Sequence, residues 1–355
     1  MLTFIVFIII LGLLIFAHEF GHFIVARWCG VKVEEFAFGF PPTLWKKEYK
    51  GTVYKINILP FGGYVKMLGE DKKLKDPEAF TSQKARKRLL IVISGVIMNV
   101  LLAYFILVIG YLVGMSPVTL DPATLGGKQT NQVVIASVET GSPAESAGLK
   151  SGDLINGFPS AEKFADFTKE HQGSSVTLNI SSGQENRQVS VKLRSDPTKT
   201  ALGVGLGGQG TEVRLGLGGA LVAAAREIGG FIVLLAKFIW GLISSLFGQG
   251  KIADSAKDIA GPIGIYNFTS QAVKLGFVYI LQWTAILSLN FGLLNILPFP
   301  ALDGGRAIFI LLEGVLRRKI VKEEIESIIH MIGFAILILL MIAVTFREVI
   351  YFTTH

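Results

Sequence analysis

The sequence predicts a polytopic α-helical membrane protein with four transmembrane helices, an inserted β-hairpin and one extracytoplasmic α+β domain. The chain of 355 residues is 51% hydrophobic and only 17% charged, whereas soluble domains carry roughly 25% charged residues. Four apolar runs are long enough to cross a bilayer, and one central stretch alternates apolar and polar residues as β-strands do. The single cysteine, Cys29, excludes a disulfide framework and a multi-cysteine zinc module.

The four apolar runs predict the transmembrane helices, because a spanning helix needs about 20 apolar residues. The helices are predicted over 1–27, 89–115, 275–302 and 328–350. The first run has no basic residue before it and no small-x-small cleavage site before His18. It is therefore predicted to be retained as a membrane helix and not removed as a signal peptide.

Lys and Arg residues in the short loops predict how the helices are oriented. Residues 27–88 carry 14 Lys and Arg, and residues 306–322 carry five. Positively charged loops face the cytoplasm, so both termini and the long region between the second and third helices are predicted to lie outside. Within that region, 215–274 contains an apolar stretch, 228–247, that is interrupted by Lys237. A crossing there would reverse the topology, so this stretch is predicted to lie on the outer surface or to insert only partly.

The end of the first predicted helix carries an HExxH motif, His18-Glu19-Phe20-Gly21-His22. Histidines at positions i and i+4 share one helix face, so both imidazoles can reach one metal ion. Glu19 then lies beside the metal, where it can take a proton from water. Ionisable residues within a membrane are costly and usually functional. The alternative interpretation is three polar residues that are solvated at a helix end.

A catalytic zinc site usually has three protein ligands and one open position. Asp303 is the candidate third ligand, because two prolines break the third helix just before it and its predicted depth matches that of the HExxH motif. Two alternatives remain open: Asp303 only caps the next helix, or Glu34 or Glu35 is the ligand. Asn295, eight residues before Asp303, can donate to a developing oxyanion or form a hydrogen bond between helices.

Residues 128–208 are predicted to form the α+β domain, because runs such as VVIASV and SVTLNI are typical of strands. The stretch from Ala144 to Ile155 fits the pattern AxxAGLxxGDxI and resembles the bacterial PDZ domain. The residues that carry this pattern are Ala144, Gly148, Leu149, Gly152 and Asp153. PDZ domains bind peptides by strand addition. The alternative is a domain that acts only as a steric lid.

The chain resembles the site-2 protease family over essentially its whole length, and its nearest branch is the bacterial regulator-of-sigma-E protease. The resemblance rests on HEFGH, the PDZ insert, Gly261-Pro262-Ile263-Gly264 and NxxPxPxLDGG, in that order. It implies one zinc ion (Zn2+) per chain, held by His18, His22 and Asp303, with Glu19 as general base and Asn295 stabilising the tetrahedral intermediate. The best-known enzyme of this branch has two PDZ domains, whereas this chain has room for one.

The resemblance also implies that about 52–70, within the predicted cytoplasmic loop 28–88, form the family's membrane-associated β-hairpin. Alternating residues around Gly62 and Gly63 favour strands, and an exposed strand edge there can hold a substrate as an added strand. The candidate substrate-binding residues are Ile58, Phe61, Gly62, Gly63 and Tyr64. The alternative is a plain amphipathic hairpin.

The implied function is that of an intramembrane zinc endopeptidase of the bacterial cytoplasmic (inner) membrane. Its expected substrates are single-pass transmembrane proteins or peptides, either anti-sigma factors after a first cleavage or remnant signal peptides. The lipid bilayer and, at the PDZ domain, peptide C-termini are the other expected partners. A net charge of +7 is interpreted as a topology signal, so no nucleic acid is expected.

Two other functions are weighed against this one. A membrane metal transporter would need a polar path along several helices, and the second helix offers few polar residues. A non-catalytic PDZ adaptor would not need Glu19. Both are therefore disfavoured.

Overall fold

A computed structural model describes residues 1–70, 74–182, 185–196, 200–246, 261–318, 321 and 323–354. Two compact units make up the chain. The first consists of Met1–Tyr104, Lys237–Asn267 and Thr284–His355, and the second of Phe105–Ala236 and Phe268–Trp283.

The described residues form helices and two β-sheets. The helices are α1 (Leu2–Trp28), α2 (Ala85–Val113), α3 (Pro143–Ser146), α4 (Ala161–Glu170), α5 (Leu217–Leu246), α6 (Pro262–Leu275), α7 (Phe277–Asn295), α8 (Asp303–Leu316) and α9 (Glu323–Thr354). The strands are β1 (Val33–Tyr49), β2 (Thr52–Met67), β3 (Lys128–Val138), β4 (Leu154–Asn156), β5 (Ser175–Ser182), β6 (Glu185–Lys192) and β7 (Val204–Arg214).

Five helices of the described residues are long and apolar enough to cross a membrane, whereas the sequence predicted four. The candidate spans are Leu2–Trp28, Ala85–Val113, Leu217–Gly241, Phe277–Asn295 and Ile325–Ile350. Four of them correspond to the predicted helices. The predicted third helix, over 275–302, is shorter in the structure because α7 ends at Asn295, ahead of the two prolines that cannot continue a helix.

The additional candidate span lies in α5, where a surface segment over 228–247 was predicted. The helix begins at Leu217, before the apolar stretch 228–247, and its residues Leu217–Gly241 have the length and composition of a membrane span. A buried Glu227 near its start is fully satisfied by hydrogen bonds. Its carboxylate accepts from the backbone N–H groups of Val118 and Thr119, at 2.7 and 2.8 Å, and from the Tyr111 hydroxyl at 3.1 Å. These bonds join α5 to the residues that follow α2.

The predicted hairpin over about 52–70 is one arm of a longer hairpin that begins at Val33. β1 and β2 are antiparallel and joined at Lys50 and Gly51, which both have positive φ. Residues 35–38 pair with both 63–66 and 53–56. β1 was not predicted from the sequence, because it contains two consecutive prolines and proline is rare within strands.

The α+β domain has a five-stranded antiparallel sheet in the order β6-β5-β4-β3-β7. Its core packs Phe164 of α4 and Ala144 of α3 against the sheet, together with Leu149. Gly148 and Gly152 occupy tight turns with φ of +71° and +96°. The fifth pattern residue, Asp153, is buried and accepts hydrogen bonds from the Lys150 amide and the Ser182 hydroxyl. All five pattern residues therefore build the core and turns of this domain, whose last strand extends beyond the predicted boundary at 208.

The Gly261-Pro262-Ile263-Gly264 motif forms the N-terminus of α6 in the first unit. The buried Glu348 of α9 accepts hydrogen bonds from the amides of Gly261, Ile263 and Gly264 at 2.7, 3.1 and 3.0 Å. A carboxylate at this position satisfies donors that have no partner inside the helix and complements the helix dipole. The motif is therefore a structural link between α6 and α9.

Candidate metal centre

Three side chains of the first unit converge on one point. Asp303 Oδ2 lies 3.0 Å from His18 Nε2 and 3.3 Å from His22 Nε2. The two histidine Nε2 atoms are themselves 3.3 Å apart. Zinc–nitrogen bonds of about 2.0–2.1 Å in a tetrahedral site place ligand atoms about 3.4 Å from one another. The three donor atoms therefore have the spacing that a zinc ion requires, and a zinc ion held by these three residues would have a fourth position for water or substrate.

The donors also have the chemistry and burial that a zinc ion requires. His18 and His22 are buried, and Asp303 Oδ2 is buried without a hydrogen-bond donor among the described residues. An unpartnered buried carboxylate oxygen that faces two imidazoles is well suited to a cation.

The α1 helix positions both histidines, because residues four apart lie one turn apart on the same face. His22 Nδ1 lies 2.8 Å from the backbone carbonyl oxygen of Ile91 in α2. Because a carbonyl can only accept, Nδ1 carries the ring proton, which leaves the Nε2 lone pair for the metal. The close approach of α1 and α2 is possible because Gly21 lies against the Ser94 backbone.

His18 is oriented by Asn99, a residue whose role was not predicted from the sequence. Asn99 is fully buried in α2, and its side-chain amide lies 3.3 Å from His18 Nδ1. The atom of this amide nearest to His18 is Nδ2, and the Asn99 Oδ1 atom is buried without a hydrogen-bond partner among the described residues. Ligation through Nε2 requires a proton on Nδ1, and a half-turn of the amide, whose two ends have the same shape, would bring Oδ1 to His18 as the acceptor. The sequence signal was a lone amide in an uncharged helix, since polar residues at membrane depth usually have a function.

Replacing Asn99 with Leu is expected to weaken zinc binding about 10- to 100-fold, because the ligand loses the partner that fixes its tautomer and orientation. Asn99→Asp should bind zinc nearly as tightly as the unmodified protein, since a carboxylate oxygen accepts the same hydrogen bond. Competition with a chelator measures both affinities. Equal zinc affinities for Asn99→Leu and the unmodified protein would contradict this role.

Asp303 reaches the site through an irregular segment between α7 and α8. The segment packs so tightly that a Cβ atom on Gly304 would overlap the carbonyl groups of Ile296 and Leu297. Asp303 is the first residue of α8, and the N-cap position before it is occupied by Leu302, with no side-chain capping hydrogen bond. The Asp303 carboxylate instead faces the two histidines, so the interpretation of Asp303 as a helix cap is wrong.

Glu34 and Glu35, the alternative third ligands, form ion pairs elsewhere. Glu34 lies 3.3 Å from the Lys66 ammonium, and Glu35 lies 2.6 Å from Lys55. Glu35 also accepts a hydrogen bond from the Tyr64 hydroxyl at 3.0 Å. Within the described residues, the metal-ligand cluster consists of His18, His22 and Asp303.

The hairpin approaches Glu19 through one predicted residue, Gly63. A Cβ atom on Gly63 would lie 2.9 Å from Glu19 Cγ and 3.1 Å from an Ile15 methyl carbon. Gly62 lies against the Phe40 ring, and Ile58 is 48% exposed. The side chain of Phe61 lies outside the described residues, so its predicted role stays a prediction.

Asn295 is the last residue of α7 and is half-buried. It follows Phe291 by about one turn, and the Phe291 ring contacts His18 edge-on at a centroid distance of 5.2 Å. This places the end of α7 beside the site. The predicted contact of Asn295 with an oxyanion stays a prediction.

Comparisons with known proteins agree with this geometry. The profile of Peptidase family M50 matches residues 6–340. A candidate zinc metalloprotease of Clostridium acetobutylicum is 33% identical over 349 residues, covering 97% of this chain and 96% of that protein. Zinc metalloprotease RasP of Oceanobacillus iheyensis is 28% identical over 442 positions, covering 98% and 99%. RasP of Shouchella clausii is 29% identical over 437 positions, covering 98% of each.

These matches confirm the resemblance to site-2 proteases and the zinc cofactor. The matched region contains Glu19 and all three metal ligands, and the candidate spans make the protein a multi-pass membrane protein. The chain is therefore a zinc metalloprotease that belongs to Peptidase family M50.

Proposed function

We propose that this protease cleaves peptide bonds within the transmembrane segments of single-pass membrane proteins. The observation that carries the proposal is the position of His18, Glu19 and His22 inside α1, a candidate membrane span. A metal site built into a spanning helix lies at membrane depth, so the peptide bond that it attacks must reach that depth. A substrate whose own segment crosses the bilayer satisfies this condition.

Each site residue has a chemical task in this proposal. When zinc is bound, it polarises the carbonyl of the peptide bond and lowers the pKa of water. Glu19 accepts a proton from water and passes it to the leaving amine, the usual role of the acid in HExxH. Asn295 donates a hydrogen bond to the oxyanion that develops on the carbonyl. Gly63 leaves the space in which the Glu19 side chain lies.

The substrate must be extended at the cleavage site, because the peptide bonds of a helix are covered by the turns around them. Residues 63–65 of β2 pair with 36–38 along one edge in the described sheet. Their second edge can accept a substrate segment as an added strand. Gly63 places this strand directly beside Glu19, so the added strand would pass the catalytic carboxylate. Ile58, Gly62 and Tyr64 belong to the same hairpin arm.

The site is proposed to lie near the cytoplasmic side of a bacterial inner membrane, with both termini and the α+β domain outside. His18 and His22 lie in the last part of α1, and Asp303 follows the end of α7, so both helices approach the site in the same direction. Since α2 returns outward, α5 can cross fully only if the chain crosses back before α7. Among the described residues between α5 and α7, the helix is α6, which has 14 residues or about 21 Å of helix, less than the roughly 30 Å hydrocarbon core; residues 247–260 lie outside the described residues. Partial insertion of α5 is therefore favoured over a full crossing.

The α+β domain is proposed to be a PDZ domain that recognises peptide C-termini. A groove of about 350 Å³ lies between α4 and residues 200–206, which lead into the edge strand β7. Phe164, Thr168 and Lys169 of α4 line it. An edge strand beside a helix is the arrangement in which a peptide adds to a sheet. The alternative is a domain that acts only as a lid against bulky substrates. Such a domain would not bind peptides in this groove.

The substrates are proposed, from the resemblance to the regulator-of-sigma-E branch, to be anti-sigma factors after a first cleavage or remnant signal peptides. Both are short single-pass segments whose outer part has been removed.

Cleavage of a model single-pass substrate by the purified protein tests this proposal. Glu19→Gln is expected to lower the rate about 10²- to 10⁴-fold, because the general base is lost, while about one zinc per chain is retained. Zinc content is measured in both proteins. A Glu19→Gln variant that cuts as fast as the unmodified protein would contradict the mechanism. Zinc-loaded, inactive protein that moves zinc across vesicles would favour the transporter.

A further inference from the structure

Ala301 has an unusual backbone conformation two residues before the metal ligand Asp303. Its φ angle is +80°, in the left-handed region that L-residues other than glycine rarely adopt. The residue lies in the irregular segment that carries the chain from α7 to Asp303. Without an external partner, this segment would favour a negative φ at Ala301, which would redirect the residues that follow it.

His330 of α9 supplies such a partner. Its Nδ1 atom accepts a hydrogen bond from the Ala301 amide at 2.9 Å. Because Nδ1 accepts, the ring proton is on Nε2, which makes no hydrogen bond among the described residues and lies 4.0 Å from Glu326 Oε1. The Phe309 and His330 rings pack edge to face at a centroid distance of 6.0 Å. The hydrogen bond to the Ala301 amide and the contact with Phe309 therefore both position the imidazole.

A second feature of α9 contacts the same segment. Gly333 follows His330 by one turn, and a Cβ atom there would lie 2.6 Å from the carbonyl carbon of Pro300. This absence of a side chain lets the helix backbone lie directly against the segment. One face of α9 therefore presents a hydrogen-bond acceptor and a flat contact surface to two consecutive residues, Pro300 and Ala301.

We propose that His330 is a positioning residue that holds the 299–302 segment in the conformation which delivers Asp303 to the zinc ion. His330 does not ligate the metal in this proposal. Its Nδ1 lone pair is occupied by the Ala301 amide, and the described metal-ligand cluster does not include it. The helix α9 thereby contributes to metal affinity through the backbone of the segment, although the metal-ligand cluster of the described residues contains none of its side chains.

Three substitutions of His330 distinguish positioning from simple packing. The Asn side-chain oxygen can occupy the place of Nδ1, so His330→Asn is expected to retain near-normal zinc affinity. In His330→Gln the side-chain amide reaches towards the Nε2 position instead of the Nδ1 position, and in His330→Leu there is no acceptor. Both are expected to weaken zinc binding about 10- to 100-fold. Chelator competition gives the affinities, and the visible spectrum of the cobalt-loaded protein reports whether the coordination stays tetrahedral.

The Ala301→Gly background provides the matched control. Glycine adopts φ of +80° without steric cost, so His330→Leu should lose much less zinc affinity in this background than in the unmodified protein. A comparison within the Ala301→Gly background also remains informative if His330→Leu alone fails to fold.

Either of two results would overturn the proposal. One is an unchanged zinc affinity in His330→Leu. The other is an equal loss in all three His330 variants that Ala301→Gly does not reduce, which would indicate a packing role. Because zinc affinity is measured without substrate, the result is independent of whether the protein cleaves within the membrane.

Discussion

Gly95→Ala is expected to weaken zinc binding about 100-fold or more while leaving the helices intact. A Cβ atom at this position of α2 would overlap His22 Nε2 and lie 2.8 Å from His18 Cε1. Both contacts are with rigid imidazole rings that are held from behind by Ile91 and Asn99. The rings cannot move aside without leaving the positions in which their nitrogen atoms converge with Asp303. We expect zinc affinity to fall about 100-fold or more. Even substitutions of residues that only hydrogen-bond to metal ligands typically lower metal affinity about 10- to 100-fold.

Gly229→Ala is the matched control for this experiment. It adds the same methyl group to a helix glycine, in α5, where no heavy atom lies within 4 Å of the added carbon. Zinc affinity by chelator competition and helix content by circular dichroism are measured for both variants. An unchanged zinc affinity in Gly95→Ala would show that the imidazoles have room to shift, and would contradict the close packing of α2 on the site.

The metal ligands were predictable from the sequence because their signals are local. The spacing of His18 and His22 places them on one helix face, and the prolines before Asp303 indicate a break at the same depth. Asn99, Gly95 and His330 were not predictable in their roles, because each acts through a contact between helices that are distant in sequence. A single asparagine, glycine or histidine has no spacing that indicates which ring or amide it will face.

The elements of the fold that have a periodic sequence signal were predictable, and the others were not. The uncharged helices and the alternating strands of the α+β domain have strong periodic signals. The arm β1 does not, because Pro41 and Pro42 interrupt its alternation, and its pairing partners are the non-local residues of β2. The additional candidate span in α5 was not predicted, because a crossing over 228–247 would reverse the topology that the charged loops indicate. In the structure α5 begins at Leu217 and continues through the buried Glu227, whose carboxylate accepts three hydrogen bonds.

Gly63→Ala is expected to inactivate the protease without releasing zinc. The added methyl group would lie 2.9 Å from Glu19 Cγ, 3.0 Å from the Ala37 carbonyl oxygen and 3.1 Å from the Ile15 methyl carbon. The backbone oxygen and the packed Ile15 cannot yield easily, so the Glu19 side chain is the group that must shift. A displacement of about 1 Å in a catalytic group can cost on the order of 10²-fold in rate.

The values of kcat and KM distinguish a displaced Glu19 side chain from damage to the strand edge that is proposed to bind the substrate. If Gly63 only provides space for Glu19, kcat falls about 100-fold and KM changes little, because the strand edge itself stays available. If Gly63 chiefly allows the substrate strand to approach, KM rises and kcat changes less. Zinc content should remain near one per chain in both cases, because none of the three atoms nearest to the added methyl group belongs to a metal ligand. Loss of zinc together with activity would place the hairpin in the support of the ligands, and would contradict its assignment to the base.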